Sequence, residues 1–198
     1  MYREKIMKEN PPPAGCVYSI GHGNRCIDDF IALLNQYGIK YLIDVRSRPY
    51  SKFNPDFNRE ALERVLTQKT IKYVFMGDKI GGLPEDLTCR TDDKIDYDKC
   101  KQNSGYIEGI NRVVTAYEKN LKVAMMCSES KPQECHRSKL LGEMLRDRNV
   151  EVQHINESGE LIKQSEAIKK AAPQTTFDFM QGLTSRKKYG KGEDIDVY

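Results

Sequence analysis

The chain of 198 residues carries 32 Lys and Arg against 29 Asp and Glu, a net charge of +3, and six cysteines. That length can bury a core unaided and predicts one domain with tails, while the absence of any apolar run of about 18 residues excludes a membrane-spanning helix. Residues 1–10 are charged and lack the apolar middle of a secretory signal, so a cytoplasmic location is expected. A disulfide scaffold is excluded too, because such chains are short, secreted and cysteine-dense. There is no Cys-x-x-Cys pair to build a zinc ribbon. The mild positive charge permits a nucleic-acid partner without arguing for one.

Residues 1–15, with Pro11, Pro12 and Pro13, read as an extended arm. The domain is expected over residues 16–172, followed by a tail over 173–198. Residues 17–20 form the first predicted strand, and Gly21, His22, Gly23, Asn24 and Arg25 make a sharp turn. A helix follows, marked by Ile27, Phe30, Ile31 and Leu34 at helical spacing and by Asp28 and Asp29 in its first turn. Backbone amides in such a turn can hold an anion, although a tight turn alone explains the glycines equally well. The dinucleotide fingerprint is not met, because Cys26 stands where its third glycine would be.

Residues 41–45 give a second strand that ends near Asp44, with Arg46 and Arg48 just beyond. A helix between two strands predicts a parallel crossover, and ligands of open α/β sheets bind at strand ends. The two arginines could pair with Asp44 or hold a phosphate or carboxylate through their planar forks. Residues 50–57 are a polar, aromatic loop. Asn58 is placed to cap a helix bearing Ala61, Leu62, Val65 and Leu66. Residues 71–76 form a third strand.

The stretch 77–105 is the least regular and predicts a long polar loop, functional or disordered. Asp92, Asp93, Asp96 and Asp98 read as solvated charge, since the calcium-loop pattern is absent. Ile107, Ile110, Val114 and Tyr117 mark an amphipathic helix. A fourth strand, 122–126, opens onto Cys127, Ser128, Glu129, Cys135, His136 and Arg137, and a helix then runs to Arg148. A fifth strand ends near His154, and residues 160–172 read as a charged, marginal helix. In the tail, Phe177, Phe179, Met180 and Leu183 could dock on the domain or on a partner, and Arg186, Lys187 and Lys188 make a short basic run. The whole pattern predicts a three-layer α/β sandwich with a mostly parallel, Rossmann-like sheet.

Four groups occur in order: Tyr18-Ser19-Ile20-Gly21-His22-Gly23; Leu42 through Pro49; Met76-Gly77-Asp78 with Gly81-Gly82; and Cys127-Ser128-Glu129 followed by Cys135-His136-Arg137. This combination resembles the DUF488 family, across roughly residues 17–155. The resemblance implies an α/β fold and no established reaction. It singles out His22, Asp44, Arg46, Arg48, Cys127, Glu129, Cys135, His136 and Arg137 without assigning them roles.

Three chemistries fit those residues. In the first, Cys127 is a nucleophile between a strand and a helix. His136 or His22 is then the acid or base, with Glu129 and Asp44 as supporting carboxylates; the bland alternative is that Cys127 is a small buried hydrophobe. A tyrosine-phosphatase loop is disfavoured, because Gln133 occupies its arginine position. In the second, Cys127, Cys135, His136 and His22 bind zinc or iron. Against this, the spacing matches no common zinc module, and the adjacent Cys135 and His136 are poorly placed to share one tetrahedral ion. In the third, Gly21 and Gly23 with their turn amides, and Arg46, Arg48 and Arg137 with the two histidines, form an anion pocket. The expected function is an enzyme acting on a phosphorylated or nucleotide-like substrate, with a nucleotide- or nucleic-acid-binding module or a metal-dependent thiol enzyme as alternatives. The sequence names no cofactor.

Overall fold

The computed structural model describes Gly15, residues 17–171, Thr184 and Ser185. Most of the predicted arm lies outside the described residues, as do Phe177, Phe179, Met180, Leu183 and the basic run. A six-stranded sheet forms the centre, in the order β3-β2-β6-β1-β7-β8. Its strands are β1 (Val17–Gly21), β2 (Tyr41–Asp44), β3 (Lys72–Phe75), β6 (Val123–Cys127), β7 (Val152–Ile155) and β8 (Leu161–Lys163). All neighbours pair in parallel except β7 and β8. A separate two-stranded hairpin joins β4 (Arg90–Thr91) to β5 (Lys94–Ile95).

Every residue of β1 and β6 is buried, as expected for central strands covered on both faces. The alternation of side chains divides them between two cores. Tyr18, Ile20, Leu42, Ala124 and Met126 face α1 (Ile27–Gln36) and α2 (Arg59–Gln68), meeting Phe30, Leu34, Leu62 and Leu66. Val17, Ile43, Val123, Met125 and Val152 face α5 (Ser104–Glu118) and α6 (Glu143–Arg146), meeting Ile110, Val113, Met144 and Leu145. The molecule is therefore the predicted three-layer α/β sandwich.

Local expectations fared unevenly. Asp28 and Asp29 sit in the first turn of α1, and the Cys26 sulfur accepts a hydrogen bond from the Asp29 amide at its start. Asn58 stands at the start of α2, but its side-chain oxygen Oδ1 accepts from the Ser51 amide at 2.7 Å instead of capping the helix. The stretch 77–105 is not a loop. It folds into α3 (Gly77–Ile80), the β4–β5 hairpin and α4 (Tyr97–Gln102), and it buries Cys89, Ile95, Tyr97 and Cys100 in the α5 core. Its apolar residues are few and widely spaced, so no period shows in the sequence. Asp96 caps α4, accepting from the amides of Asp98 and Lys99. Thr184 bridges to Asp96, and Ser185 hydrogen-bonds to Ile95 in both directions, so this piece of the tail lies on the hairpin. Residues 160–172 divide into the edge strand β8 and α7 (Gln164–Ala171).

Candidate functional site

Because β2, β6 and β1 are neighbours in parallel register, the three polar stretches beyond Gly21, Asp44 and Cys127 emerge side by side. The ladder continues past the strands: the His22 amide donates to the Cys127 carbonyl at 3.0 Å and the Gly23 amide to the Ser128 carbonyl at 2.9 Å. These are the amides that the sequence reading assigned to an anion. They are engaged within the protein, so the Gly21-His22-Gly23 turn is not an anion cradle. Its first glycine has a different role. A Cβ on Gly21 would lie 1.8 Å from the Glu129 carbonyl oxygen, so only glycine admits the 127–130 backbone here.

On one side of this junction lies a closed ionic network. Asp44 is fully buried and accepts from the Arg46 amide at 3.0 Å, from Arg46 Nε at 2.9 Å and Nη2 at 2.6 Å, and from the Tyr73 hydroxyl at 2.7 Å. Arg46 Nη2 also donates to the Phe57 carbonyl at 2.8 Å. Burial opposes the arginine charge, but hydrogen bonding to Asp44 and the Asp44 charge together outweigh it and raise the Arg46 pKa. Burial, then the Asp44 charge, pushes the Tyr73 phenol well above its ordinary range. His22 stacks on Phe57 with ring centroids 4.4 Å apart. Its Nδ1 donates to the Gly23 carbonyl at 3.0 Å, which leaves Nε2 as an acceptor facing Arg46 Nη1 at 3.5 Å. Burial, then the Arg46 charge, lowers its pKa to about 4. His22 is thus a neutral ring at neutral pH and adds no charge to an anion pocket. Arg46 pairs with Asp44 instead of forming a clamp, and Arg48 is exposed.

On the other side lies a cluster built on sulfur. Cys135 is extended (φ −111°, ψ 150°) and His136 is helical (φ −61°, ψ −20°). This change of backbone state swings two adjacent side chains to one point. His136 Nδ1 lies 3.6 Å from the Cys135 sulfur and 3.9 Å from the Cys127 sulfur. Adjacency in the chain therefore does not keep the Cys135 and His136 donor atoms apart. A Cβ on Gly82 would come 2.8 Å from the same Nδ1, so glycine at that position makes room for the imidazole. His136 Nε2 is buried and has no hydrogen-bond partner among the described residues. The backbone then enters a π-helical segment, Arg137–Gly142, a rare form that recurs at functional sites.

Arg137 is fully buried and holds this cluster in place. Its Nε donates to the Cys135 sulfur at 3.3 Å and its amide to the same sulfur at 3.5 Å. Nη1 donates to Ser19 Oγ at 3.0 Å and Nη2 to the Glu129 carbonyl at 2.6 Å. Burial opposes a Cys135 thiolate, but hydrogen bonding from Cys127 and the Arg137 charge prevail and hold its pKa well below the ordinary value. The Cys127 thiol, hydrogen-bonded to Cys135 and buried, is pushed up. Arg137 is therefore engaged with sulfur and backbone, and Glu129 enters the cluster through its carbonyl. Among the described residues, Cys127, Cys135 and His136 place one metal-type donor each within 4.8 Å of one another; His22 is not in that group.

Sequence reasoning missed the support behind Arg137. Ser19 Oγ lies 2.6 Å from His154 Nδ1, and His154 Nε2 lies 2.6 Å from Gln164 Oε1. Gln164 Nε2 donates to the Ser138 carbonyl and to Glu143, which makes Oε1 the acceptor. His154 therefore carries its proton on Nε2, and Ser19 donates to Nδ1 while accepting from Arg137. Burial lowers the His154 pKa to about 4, so the ring is neutral. The signal was present: Ser19 and His154 are polar residues within buried strands, and they prove to be register partners of β1 and β7. A buried polar group needs a partner, and only the strand order shows which one.

The model of a domain of unknown function, DUF488, matches residues 26–145. That span contains the Asp44 network and the sulfur cluster, but not Ser19, His22 or His154. No curated protein and no solved structure matches the chain. With more than half of its length matched, the chain belongs to the DUF488 family.

Proposed function

We propose that this protein is an enzyme whose reaction centre is the sulfur and imidazole cluster of Cys127, Cys135 and His136. The observation that carries this reading is the pair of Arg137 N–H groups directed at the Cys135 sulfur. Hydrogen bonds of this kind favour an electron-rich sulfur, which is the form that reacts. Cys135 is the nucleophile toward a small electrophilic substrate, and His136 Nδ1, 3.6 Å away, is the group placed to exchange a proton with it. Cys127, the nucleophile expected from sequence, is the neighbouring thiol. Cys127, His136, His22 and Arg46 each keep 5–6% of their surface exposed, and they form the approach to the centre. Capture of a phosphate or nucleotide is less well supported, since the turn amides and both buried arginines are already engaged.

Labelling tests this reading. Iodoacetamide at neutral pH should modify Cys135 at least as fast as the exposed Cys26, despite burial, and Arg137→Lys should slow it. Peptide mapping that finds modification at Cys26 with Cys135 untouched in the folded protein would sink the proposal.

A further inference from the structure

We infer that the two sulfurs and His136 Nδ1 form a three-ligand site for a thiophilic divalent cation of the zinc class, with a fourth position left open. This deepens the proposal above and rests on its identification of the sulfur cluster as the reaction centre: with an ion bound, Cys135 and His136 Nδ1 are its ligands, and the nucleophile and proton-exchange roles belong to the metal-free protein. The first support is distance. In a tetrahedral zinc site with bond lengths of about 2.3 Å to sulfur and about 2.05 Å to nitrogen, a sulfur and a nitrogen ligand stand about 3.6 Å apart. His136 Nδ1 stands 3.6 Å from the Cys135 sulfur and 3.9 Å from the Cys127 sulfur. All three donor atoms lie within 4.8 Å of one another, and two sulfurs on one tetrahedral zinc stand about 3.8 Å apart, so an ion reaches all three if the sulfurs approach by about 1 Å at most.

The second support is how the donors are held. Each ligand comes from a fixed element: Cys127 ends the central strand β6, and Cys135 and His136 lead into the π-helical segment. The Arg137 amide and Nε hold the Cys135 sulfur from the side, as outer partners of a metal thiolate do. Arg137 is itself fixed by Ser19, His154 and Gln164 in a chain whose donors and acceptors all match. Among the described residues the hydrogen-bond partners of His136 Nδ1 are both sulfurs, with no carboxylate or carbonyl to commit the ring to other work.

The third support is chemical type. Two thiolates and an imidazole are soft and borderline ligands, which select zinc-like ions over magnesium or calcium. Three protein ligands with an open place are the pattern of a catalytic site; a structural zinc site closes all four. No fourth donor of His, Cys, Asp or Glu joins the group among the described residues. Two thiolates balance the charge of a divalent ion, and the adjacent Arg137 charge then favours an anionic fourth ligand, such as hydroxide or an anionic substrate atom.

The test is cobalt substitution in the full chain, reduced and stripped with a chelator. Wild type should take up one equivalent of Co2+ and develop the sulfur-to-cobalt charge-transfer and visible bands of a tetrahedral thiolate site, and Zn2+ should abolish them. Cys127→Ser and Cys135→Ser should each lose much of the charge-transfer absorption, and Cys26→Ser none. His136→Asn should keep charge transfer but weaken uptake by more than the roughly 10–100-fold typical of an outer partner. Circular dichroism confirms that each variant is folded. Wild type without charge-transfer absorption overturns the inference outright, as does uptake unchanged in Cys127→Ser. If cobalt fails to bind while Cys135 is still labelled by iodoacetamide, the metal site falls and the sulfur-centred enzyme stands. If cobalt binds but the stripped protein leaves Cys135 unlabelled, the metal site stands and the Cys135 nucleophile falls.

Discussion

The two buried polar clusters at the carboxyl edge of the sheet contain similar residue types and behave differently. Around Asp44, an arginine, a tyrosine and a backbone carbonyl close a network in which the carboxylate accepts from several donors and His22 is held neutral. Around Cys135, an arginine again donates, but its targets are a sulfur, a hydroxyl and a carbonyl, and among the described residues the nearby imidazole has only sulfur partners on Nδ1 and none on Nε2. A saturated network stabilises the fold and resists new partners. An unsaturated one of soft atoms can accept an ion or attack a substrate. Counting donors and acceptors, more than naming residues, separates scaffold from chemistry.

Acid should break both clusters, with the largest effect. His22 and His154 each have a folded pKa of about 4 against an ordinary 6.5. Between those values the unfolded chain binds more protons than the folded one, so stability is full above about pH 6.5 and is lost as pH falls through 4. The loss should be about 3 kcal/mol per histidine by pH 4. Urea denaturation across that range checks it, and a flat profile would show that neither ring is held neutral. Next, Asp44→Ala should cost about 3–5 kcal/mol, because it strands the buried Arg46 charge. A denaturation midpoint close to wild type would mean that the network is not structural.

Gly21→Ala comes third, at about 3 kcal/mol, since its Cβ would overlap the Glu129 carbonyl and push the 127–130 backbone away from β1. The same variant should slow Cys135 labelling, because that carbonyl also anchors Arg137. A destabilised protein with unchanged labelling would uncouple the two effects. The smallest stability effect is expected for Cys135→Ser, about 1 kcal/mol. Its labelling should vanish even so, the reverse of Asp44→Ala, whose sulfur cluster is intact. A Cys135→Ser protein as unstable as Asp44→Ala would erase the distinction between the clusters.

Much of this could be read along the chain. Apolar runs at 17–20, 41–45, 71–76 and 122–126 announced strands, and helical spacing between them announced crossovers, because periodicity is set locally by which face is buried. The stretch 77–105 defeated that approach: its buried Cys89, Ile95, Tyr97 and Cys100 belong to short elements that find their apolar partners elsewhere in the chain, on α5 and the π-helical segment. The convergence at Gly21, Asp44 and Cys127 was also legible, since parallel strands put their polar ends on one edge. Arg46 and Arg137 looked alike as candidate anion clamps; the pairing of Arg46 with Asp44, two residues away, was one legible option, whereas the Ser19 and Glu129 partners of Arg137 are set only by the fold.

By itself, the sequence determined the α/β layers, the sheet edge that carries the polar residues and the cysteines and histidines brought there, for all of these follow from local period and chain direction. Only the tertiary structure decided what each one does. The insertion of β6 between β1 and β2 consumed the turn amides, and the pairing of β1 with β7 put His154 behind Ser19. The break in backbone state at Cys135 and His136 turned adjacent side chains onto one point. Those outcomes depend on contacts between residues far apart in the chain, and a donor is free or engaged only once its neighbours are in place.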